Sequence, residues 1–423
     1  MRLKNRKLNK FEIALYKLNL AWPFNVLINI EIIGKITKKQ IKEALVKIKQ
    51  NNYYLNFFIQ EEDNLKFIYT DNSIRFEIIN YSSKRERIKL IQRELNSSSL
   101  YKDYPLAKLT ILQNKNKTDL IFKVSHIISD GISAYNVGKE LLEYINNIDN
   151  NVSSNSKEFK GLYPSLKFFP HWNLNNIPKA NSIKKLKDIE NYVNIDNRST
   201  HIIERDLTIE ESSELFAFCK QNQISVNSLL MACLVKNMVK KLKAERYGLV
   251  TLKTSSGLNL RQYYNCDVDN RVLGCWSGFG FLFYNLGDDI DLIDFSKRYQ
   301  EDLKSYLYNN YSFLYLKLAI ENYLNKSVRQ IALDPPTKLP YVILTNLGKL
   351  NTNRIYTDKF TVKRISFTTS MHRNWINDLG FGICASTTNN QLNLNFNYMN
   401  PAWKQENAHK FVDSILDILK NLK

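Results

Sequence analysis

One stretch of the sequence decides the expected fold: Val124-Ser125-His126-Ile127-Ile128-Ser129-Asp130-Gly131. The residues before it, Asp119–Val124, are mostly apolar and resemble a strand. The residues after it, Ile132–Ile145, have apolar side chains at helical spacing. We therefore predict that this stretch is a loop at a strand-to-helix junction.

Three residues of this loop have a possible chemical role. His126 suits a general base, because the unperturbed pKa of histidine, about 6.5, is close to working pH. Asp130 can bond to the backbone or pair with an arginine and so shape the loop. Gly131 adds backbone freedom and lets a substrate approach closely. On these residues alone, a packed or exposed histidine without a catalytic role is the simpler interpretation.

The remaining sequence predicts α/β structure in two halves. Strand-like and helix-like segments alternate early, as in Phe24–Ile33 and Lys38–Gln50. Asn, Ser, Lys and Pro then dominate between about 148 and 200, which indicates a connector. A second series of strand-like and helix-like segments begins at Ile202 and ends with a predicted helix over Gln405–Leu422. Further strands are predicted at 55–60, 65–69, 74–79, 106–112, 248–255, 340–346, 361–368, 380–387 and 391–398, and further helices at 86–95, 208–221 and 226–242.

The composition is that of an ordinary globular protein, with 44% hydrophobic and 24% charged residues. No apolar run approaches the roughly 20 residues that cross a bilayer. The basic start, Met1–Lys7, is followed by a polar stretch instead of the apolar region of a signal peptide, so we expect a cytoplasmic protein. The 5 cysteines show no metal-ligand spacing, so neither a zinc site nor a disulfide framework is expected.

The chain is strongly basic, with 60 Lys and Arg against 41 Asp and Glu and a formal net charge of +19. Such a charge attracts polyanions, among them nucleic acid, an anionic membrane, coenzyme A or an acidic carrier protein. The lysines are spread along the chain, however, and a codon bias of an AT-rich genome explains them equally well. No nucleic-acid-binding motif is present, so nucleic acid is not an expected partner.

Four segments, in order, resemble the chloramphenicol acetyltransferase-like superfamily, which includes the condensation domains of nonribosomal peptide synthetases and alcohol acyltransferases. Residues 124–131 resemble its HxxxDG signature, and Leu8–Glu12 resembles its opening. Asn259-Leu260-Arg261, followed by Leu273–Gly278, resembles a third segment, and Thr345–Gly348 resembles a fourth. The resemblance spans nearly the whole chain.

The resemblance implies a fold and an activity. The fold has two lobes, each a mixed β-sheet with flanking helices, and an active-site tunnel between them. We expect residues 1–150 and 201–423 to form the lobes, and 151–200 to be the connector. The activity is transfer of an acyl group from acyl-CoA or a phosphopantetheinyl carrier protein to a hydroxyl or amine. The acceptor attacks the thioester directly, without an acyl-enzyme and without a permanently bound cofactor.

The resemblance also implies roles for individual residues. His126 would be the general base, and Asp130 would pair with Arg261 through two directional hydrogen bonds that fix the loop. Gly131 would line the opening beside His126. Asn346 would lie across the cleft, where its amide positions substrate or supports the oxyanion.

Trp276 and Gly348 are further candidates for the substrate site, since both lie within the segments that resemble the superfamily. Each has a plainer alternative: Trp276 as core or tunnel wall, and Asn346–Gly348 as a turn. Arg261 as a surface residue is the corresponding alternative for the proposed ion pair.

The sequence departs from the family pattern at Ser125, where many members have a first histidine. This favours ester formation over the peptide-bond formation of a typical condensation domain. Ser277 is not a catalytic nucleophile candidate, because its surroundings do not fit GxSxG. Asp378–Gly382 loosely resembles the DFGWG segment of plant members, but a glycine-rich entry to a strand is the favoured interpretation.

We therefore expect a monomeric acyltransferase of lipid or secondary-metabolite biosynthesis, with an acyl thioester donor and an alcohol or amine acceptor. A non-catalytic docking module for a carrier protein and an amide-forming condensation enzyme are the alternatives. No metal is expected, since the histidines have no ligand pattern.

Overall fold

The computed structural model describes residues 5–61, 64–146, 195–245, 249–263, 272–333, 339–351, 360–371, 373 and 379–422. The predicted connector at 151–200 therefore lies outside the described residues, except for 195–200. Asp378 of the DFGWG-like segment lies outside them as well.

The first half contains seven strands and four helices in the described part of the chain. The strands are β1 (Arg6–Lys7), β2 (Asn25–Ile33), β3 (Phe57–Gln60), β4 (Lys66–Tyr69), β5 (Arg75–Asn80), β6 (Ala107–Asn114) and β7 (Lys117–Ser125). The helices are α1 (Lys10–Ala21), α2 (Lys38–Asn51), α3 (Lys84–Asn96) and α4 (Gly131–Ile145).

The second half continues the same mixture. Its strands are β8 (Ser199–Asp206), β9 (Val250–Asn259), β10 (Ser277–Leu286), β11 (Tyr341–Lys349), β12 (Thr361–Thr369), β13 (Gly380–Thr388) and β14 (Gln391–Asn400). Its helices are α5 (Ile209–Gln221), α6 (Val226–Glu245), α7 (Leu292–Tyr308), α8 (Tyr311–Leu324), α9 (Val328–Ala332) and α10 (Gln405–Lys420). Most predicted elements are present within a few residues of their expected bounds.

Two large mixed sheets form the centres of the two lobes. The first lobe has five strands in the order β12-β2-β7-β6-β5, and the second has six in the order β10-β9-β11-β13-β14-β8. A small third sheet has the order β1-β4-β3. Each large sheet has its own apolar core: α2 and α4 cover the first, and α5, α6 and α10 cover the second. This is the expected α/β architecture of two lobes.

Strand β12 joins the lobes. It belongs to the second half of the chain, but it pairs antiparallel with β2 at the edge of the first sheet, from Thr361 opposite Ile33 to Thr369 opposite Val26. Side chains of β14 reach its backbone: Asn395 Nδ2 donates to the Phe367 carbonyl at 2.8 Å. The division into 1–150 and 201–423 stays a prediction, and it does not account for this strand.

The sequence patterns missed α1, β10 and the helices α7 to α9. In β10, Gly278 and Gly280 weaken the strand pattern, and the structure explains both glycines. A Cβ at Gly278 would lie 2.6 Å from Leu260 and Ser312, and one at Gly280 would lie 2.6 Å from Leu303. Helices therefore pack so closely on β10 that larger residues do not fit.

No helix in the described part of the chain has both the length and the apolar character needed to cross a membrane.

Candidate active site

Asp130 organises the loop between β7 and α4. It is the N-cap of α4, where its side chain accepts a hydrogen bond from the Ser133 backbone N–H at 2.8 Å. The same carboxylate accepts a bond from the Trp276 backbone N–H at 2.8 Å. Its own backbone N–H donates to the Gly274 carbonyl at 3.1 Å. These hydrogen bonds thus fix the loop of the first lobe to the residues that precede β10 in the second lobe.

Arg261 completes this arrangement from the second lobe. Its Nη1 and Nη2 donate to the two carboxylate oxygens of Asp130 at 2.9 and 3.1 Å, so the expected pair is present and bidentate. Nη2 also donates to the Ser133 hydroxyl at 2.6 Å. Nη1 donates to Asn259 Oδ1 at 3.2 Å. Both charged side chains are almost completely buried, at 4% and 3% exposed, and the surface alternative for Arg261 is wrong.

His126 is held by backbone and ring contacts. Its backbone N–H donates to the Phe24 carbonyl at 3.0 Å, and its ring stacks on the Phe24 ring with centroids 4.4 Å apart. Nδ1 lies 3.5 Å from the Cys275 sulfur. Burial lowers the pKa of His126, and this outweighs the charge of Asp130, which acts in the opposite direction. Burial therefore favours the neutral imidazole over the imidazolium.

A cavity of about 650 Å³ begins at His126 and lies between the two lobes. One of its walls is a face of the six-stranded sheet, with residues of β9, β10, β11 and β13. The remaining walls are formed by α1, α8, the His126 loop and β12. The lining includes Leu18, Phe24, His126, Gly131, Lys253, Gly257, Asn259, Phe281, Tyr341, Thr345, Asn346, Phe367, Thr369 and Gly382. Its size and mixed lining are those of a small-molecule site.

Three further predicted residues, Gly131, Arg261 and Asn346, line this cavity together with His126 and Asp130. Gly131 is the first residue of α4, and a Cβ there would come within 2.9 Å of the Leu347 side chain. Asn346 lines the cavity from β11, and its Oδ1 accepts a hydrogen bond from the Gly348 N–H at 2.8 Å. This contact identifies the oxygen of the amide and leaves Nδ2 as a donor.

Trp276 and Gly348 are not among the residues that line the cavity, which corrects their assignment to the substrate site. Trp276 is 0% exposed in the core of the first lobe, where its backbone supports Asp130. Gly348 has φ of +70° at a register shift in β11, and its N–H orients the Asn346 side chain. The segment Asn346–Gly348 is therefore an irregularity within strand β11 and not a turn that ends it.

Ser125, the departure from the family pattern, is fully buried at the end of β7. Its hydroxyl accepts a hydrogen bond from Asn19 Nδ2 at 3.2 Å, and it is not a lining residue of the cavity. The Ser125 side chain therefore supports the loop on the side that faces away from the cavity.

Sequence reasoning missed three residues of the site: Phe24, Cys275 and Lys253. Phe24 and Cys275 lie inside segments that were recognised, but nothing in the pattern indicates contact with His126. Burial raises the pKa of the Cys275 thiol to about 12, so it stays protonated and is not a thiolate nucleophile. In the described residues, no group of three His, Cys, Asp or Glu side chains could hold a metal ion.

Comparison with known proteins gives a result at the level of structure. No family model and no curated protein matches the sequence. The first condensation domain of the CDA synthetase has a TM-score of 0.64 at 11% identity, over 99% of this chain and 96% of that chain. The chain has the condensation-domain fold.

Other structures share the condensation-domain fold over almost their full length. Trichothecene 15-O-acetyltransferase from Fusarium sporotrichioides has a TM-score of 0.68 at 11% identity, over 99% of this chain and 95% of that one. The epimerization domain from the third module of tyrocidine synthetase B has a TM-score of 0.66 at 16% identity, over 99% of this chain and 97% of that chain. These proteins are named for different activities, so the condensation-domain fold alone does not determine the reaction.

Proposed function

We propose that the protein is an acyltransferase that moves an acyl group from a thioester to a hydroxyl acceptor, with an amine as the alternative acceptor. The observation that supports this most directly is the position of His126 in the wall of a cavity between two lobes, where burial favours the neutral imidazole. Its backbone and the Asp130–Arg261 pair keep it in one position. The wider setting is lipid or secondary-metabolite biosynthesis.

In this proposal His126 acts as general base. Its free ring nitrogen removes the proton of the acceptor hydroxyl as the oxygen attacks the thioester carbonyl carbon. The resulting tetrahedral oxyanion collapses, and the carbon–sulfur bond breaks. The imidazolium returns its proton to the leaving thiolate, so the products are an ester and a free thiol. Asp130 does not accept a proton, since its oxygens are occupied by Arg261 and backbone N–H groups.

Asn346 is the candidate donor to the oxyanion. Because Gly348 occupies the amide oxygen, the Nδ2 group is available to the cavity. A fixed donor of this kind stabilises charge that develops only in the transition state, so its removal lowers kcat more than it raises KM.

The donor in this proposal is acyl-CoA or an acylated phosphopantetheinyl carrier protein. Both are anionic, which suits a formal net charge of +19. The buried position of Ser125, outside the cavity lining, supports the view that a serine there is compatible with catalysis. No permanently bound cofactor is part of the reaction.

The rival proposal is a non-catalytic docking module for a carrier protein. Ser125 is its only motivation, whereas the described residues retain His126, the Asp130–Arg261 pair and an internal cavity. A module that only docks a carrier protein needs no buried histidine in the wall of an internal cavity, so we favour the enzyme.

The test is turnover by the purified protein of acyl-CoA and acyl-carrier thioesters, each with hydroxyl and amine acceptors. Free thiol is measured as it is released. We expect wild-type turnover with at least one combination, and a His126→Ala variant reduced in kcat by about 10² to 10⁴. Product analysis then separates esters from amides.

The matched control is His201→Ala. His201 is also partly buried, and burial also lowers its pKa, but it lies on β8 away from the cavity lining. Its variant is expected to keep wild-type turnover. If His126→Ala turns over as fast as the wild type, His126 is not the base. Absence of turnover with every donor favours the docking module.

A further inference from the structure

The cavity lining includes a lysine that takes no part in the site around His126. Lys253 is a lining residue on β9, opposite Tyr341 of β11. On the same strand and the same face, Asn259 contacts Arg261 at the His126 end. Asn259 lies six positions after Lys253, which corresponds to roughly 20 Å along a strand. The cavity therefore has one polar end at His126 and another at Lys253.

The ammonium group of Lys253 lies over two aromatic rings. Nζ lies 4.2 Å from the ring centroid of Phe281 and 4.8 Å from that of Tyr341. Among the described residues, none accepts a hydrogen bond or forms an ion pair with this Nζ. The one carboxylate in the described lining is Asp130, which is already paired with Arg261.

This environment is costly for a cation. Burial lowers the pKa of Lys253 to about 8, so the side chain is still mostly protonated at neutral pH. Cation–π contacts offset only part of the lost hydration. A buried charge usually has a partner of opposite sign. Here the chain supplies none in the described residues, although the space in front of the group is open to a ligand.

We infer that Lys253 binds a carboxylate on the substrate that occupies this end of the cavity. The inference rests on the proposed function, because it adds a substrate class to the same site. One part of the substrate reacts at His126, an apolar part lies along the sheet, and its carboxylate pairs with Nζ.

A carboxylate fits this end of the cavity better than a phosphate does. Lys253 presents one compact cation between two aromatic faces, which suits a small, singly charged anion. Phosphate sites typically offer several donors together, from arginine or from successive backbone N–H groups. The apolar wall between the two ends, formed by Phe279 and Ile343, suits a hydrocarbon segment.

The inference is tested by binding, without turnover. Calorimetry with medium-chain alkanoates and their methyl esters measures the preference for the carboxylate. We expect the wild type to bind the alkanoate more tightly, and Lys253→Met to lose about tenfold or more of that preference. Lys253→Arg, which keeps the charge, is expected to retain part of it.

Two variants serve as controls. Lys241→Met removes a lysine that also lies over an aromatic ring, Trp403 at 5.2 Å, but outside the cavity lining, and it should leave binding unchanged. His126→Ala should bind the alkanoate normally even though the proposed reaction is lost. Failure of the acyltransferase proposal is therefore distinguishable from failure of this one.

Equal binding of alkanoate and ester, or of alkanoate to wild type and Lys253→Met, would overturn the inference. So would the absence of binding by any alkanoate. Turnover then identifies the source of the carboxylate. A hydroxy acid preferred over its methyl ester places it on the acceptor, whereas a dicarboxylic monothioester preferred over a simple acyl thioester places it on the donor.

Discussion

Burial, more than any neighbouring charge, sets the protonation state of His126. The ring stacks on Phe24 and contacts Cys275, and both contacts remove water from it. Desolvation disfavours the imidazolium, while Asp130 favours it, and desolvation is the larger effect. Because the neutral form has a free lone pair, an environment that keeps water out also keeps the base available.

This balance predicts the pH dependence of the reaction. The base must be unprotonated, so kcat/KM is lost as pH falls through the pKa of His126 in the free enzyme. Since that pKa is lowered, the plateau should extend below pH of about 6.5, the ordinary value for histidine. A pH–rate profile with wild-type protein measures it. An acid limb centred clearly above 6.5 would contradict the role of burial.

Single residues differ in how far the sequence reveals them. His126, Asp130, Arg261 and Asn346 were found because each lies in a segment that resembles a known pattern. Lys253 was not found, because a lysine in a strand normally faces solvent and its burial depends on neighbouring strands. Contacts formed by residues distant in sequence leave no local periodicity.

At the scale of elements, the loop between β7 and α4 depends on one ion pair. Asp130 caps α4 and accepts a hydrogen bond from the Trp276 backbone N–H. Its ion-pair partner, Arg261, lies in the other lobe. Removal of one member of a buried pair leaves the other charge without compensation, which costs more than loss of the attraction alone.

We therefore predict that Asp130→Asn lowers the free energy of unfolding by about 3–5 kcal/mol. The amide can still cap α4, but it faces the Arg261 guanidinium without a charge. Urea unfolding measures the change. Glu406→Gln is the control, because Glu406 forms an exposed ion pair with Lys410, and little or no change is expected there. An equal loss in both variants would refute the importance of burial.

Helices and strands were predictable from the sequence where one face is buried and the opposite face is exposed to solvent. Helix α2 shows this regular pattern, with a capping box at Thr37 and Gln40, and its predicted bounds agree with the structure within one residue. Helix α1 also has a capping box, at Asn9 and Glu12, but apolar residues occur around its circumference. It packs against α8 and α9 as well as the first lobe, and such a helix lacks the amphipathic signal.

At the scale of the whole molecule, the ion pairs of a buried arginine connect the two large sheets. Arg364 of β12 donates to Glu204 and Asp206 of β8, each at 3.0 Å. Glu204 also accepts from Arg87 of α3 at 2.6 Å. These charges join the edge strand of the first sheet to the edge strand of the second, and they fix the lobes relative to each other.

We predict that Arg364→Met lowers the free energy of unfolding by roughly 3 kcal/mol, because it leaves two carboxylates near each other without this cation. The matched control is Lys363→Met on the same strand. Lys363 is about half exposed and pairs with Glu31 at 3.2 Å, so its loss should have little effect. Urea midpoints compare the variants, and similar midpoints for both would argue against a structural role of the buried cluster.

Strand β12 has a consequence for synthesis of the chain. N-terminal units usually fold first as they leave the ribosome, but here the first sheet is incomplete until Thr369 has been made. Until then one edge of β2 has no neighbour, and an apolar, unpaired strand edge can pair with another chain. A polypeptide that stops before Thr361 therefore exposes this edge permanently, so we expect incomplete translation products to aggregate rather than accumulate as a free first lobe.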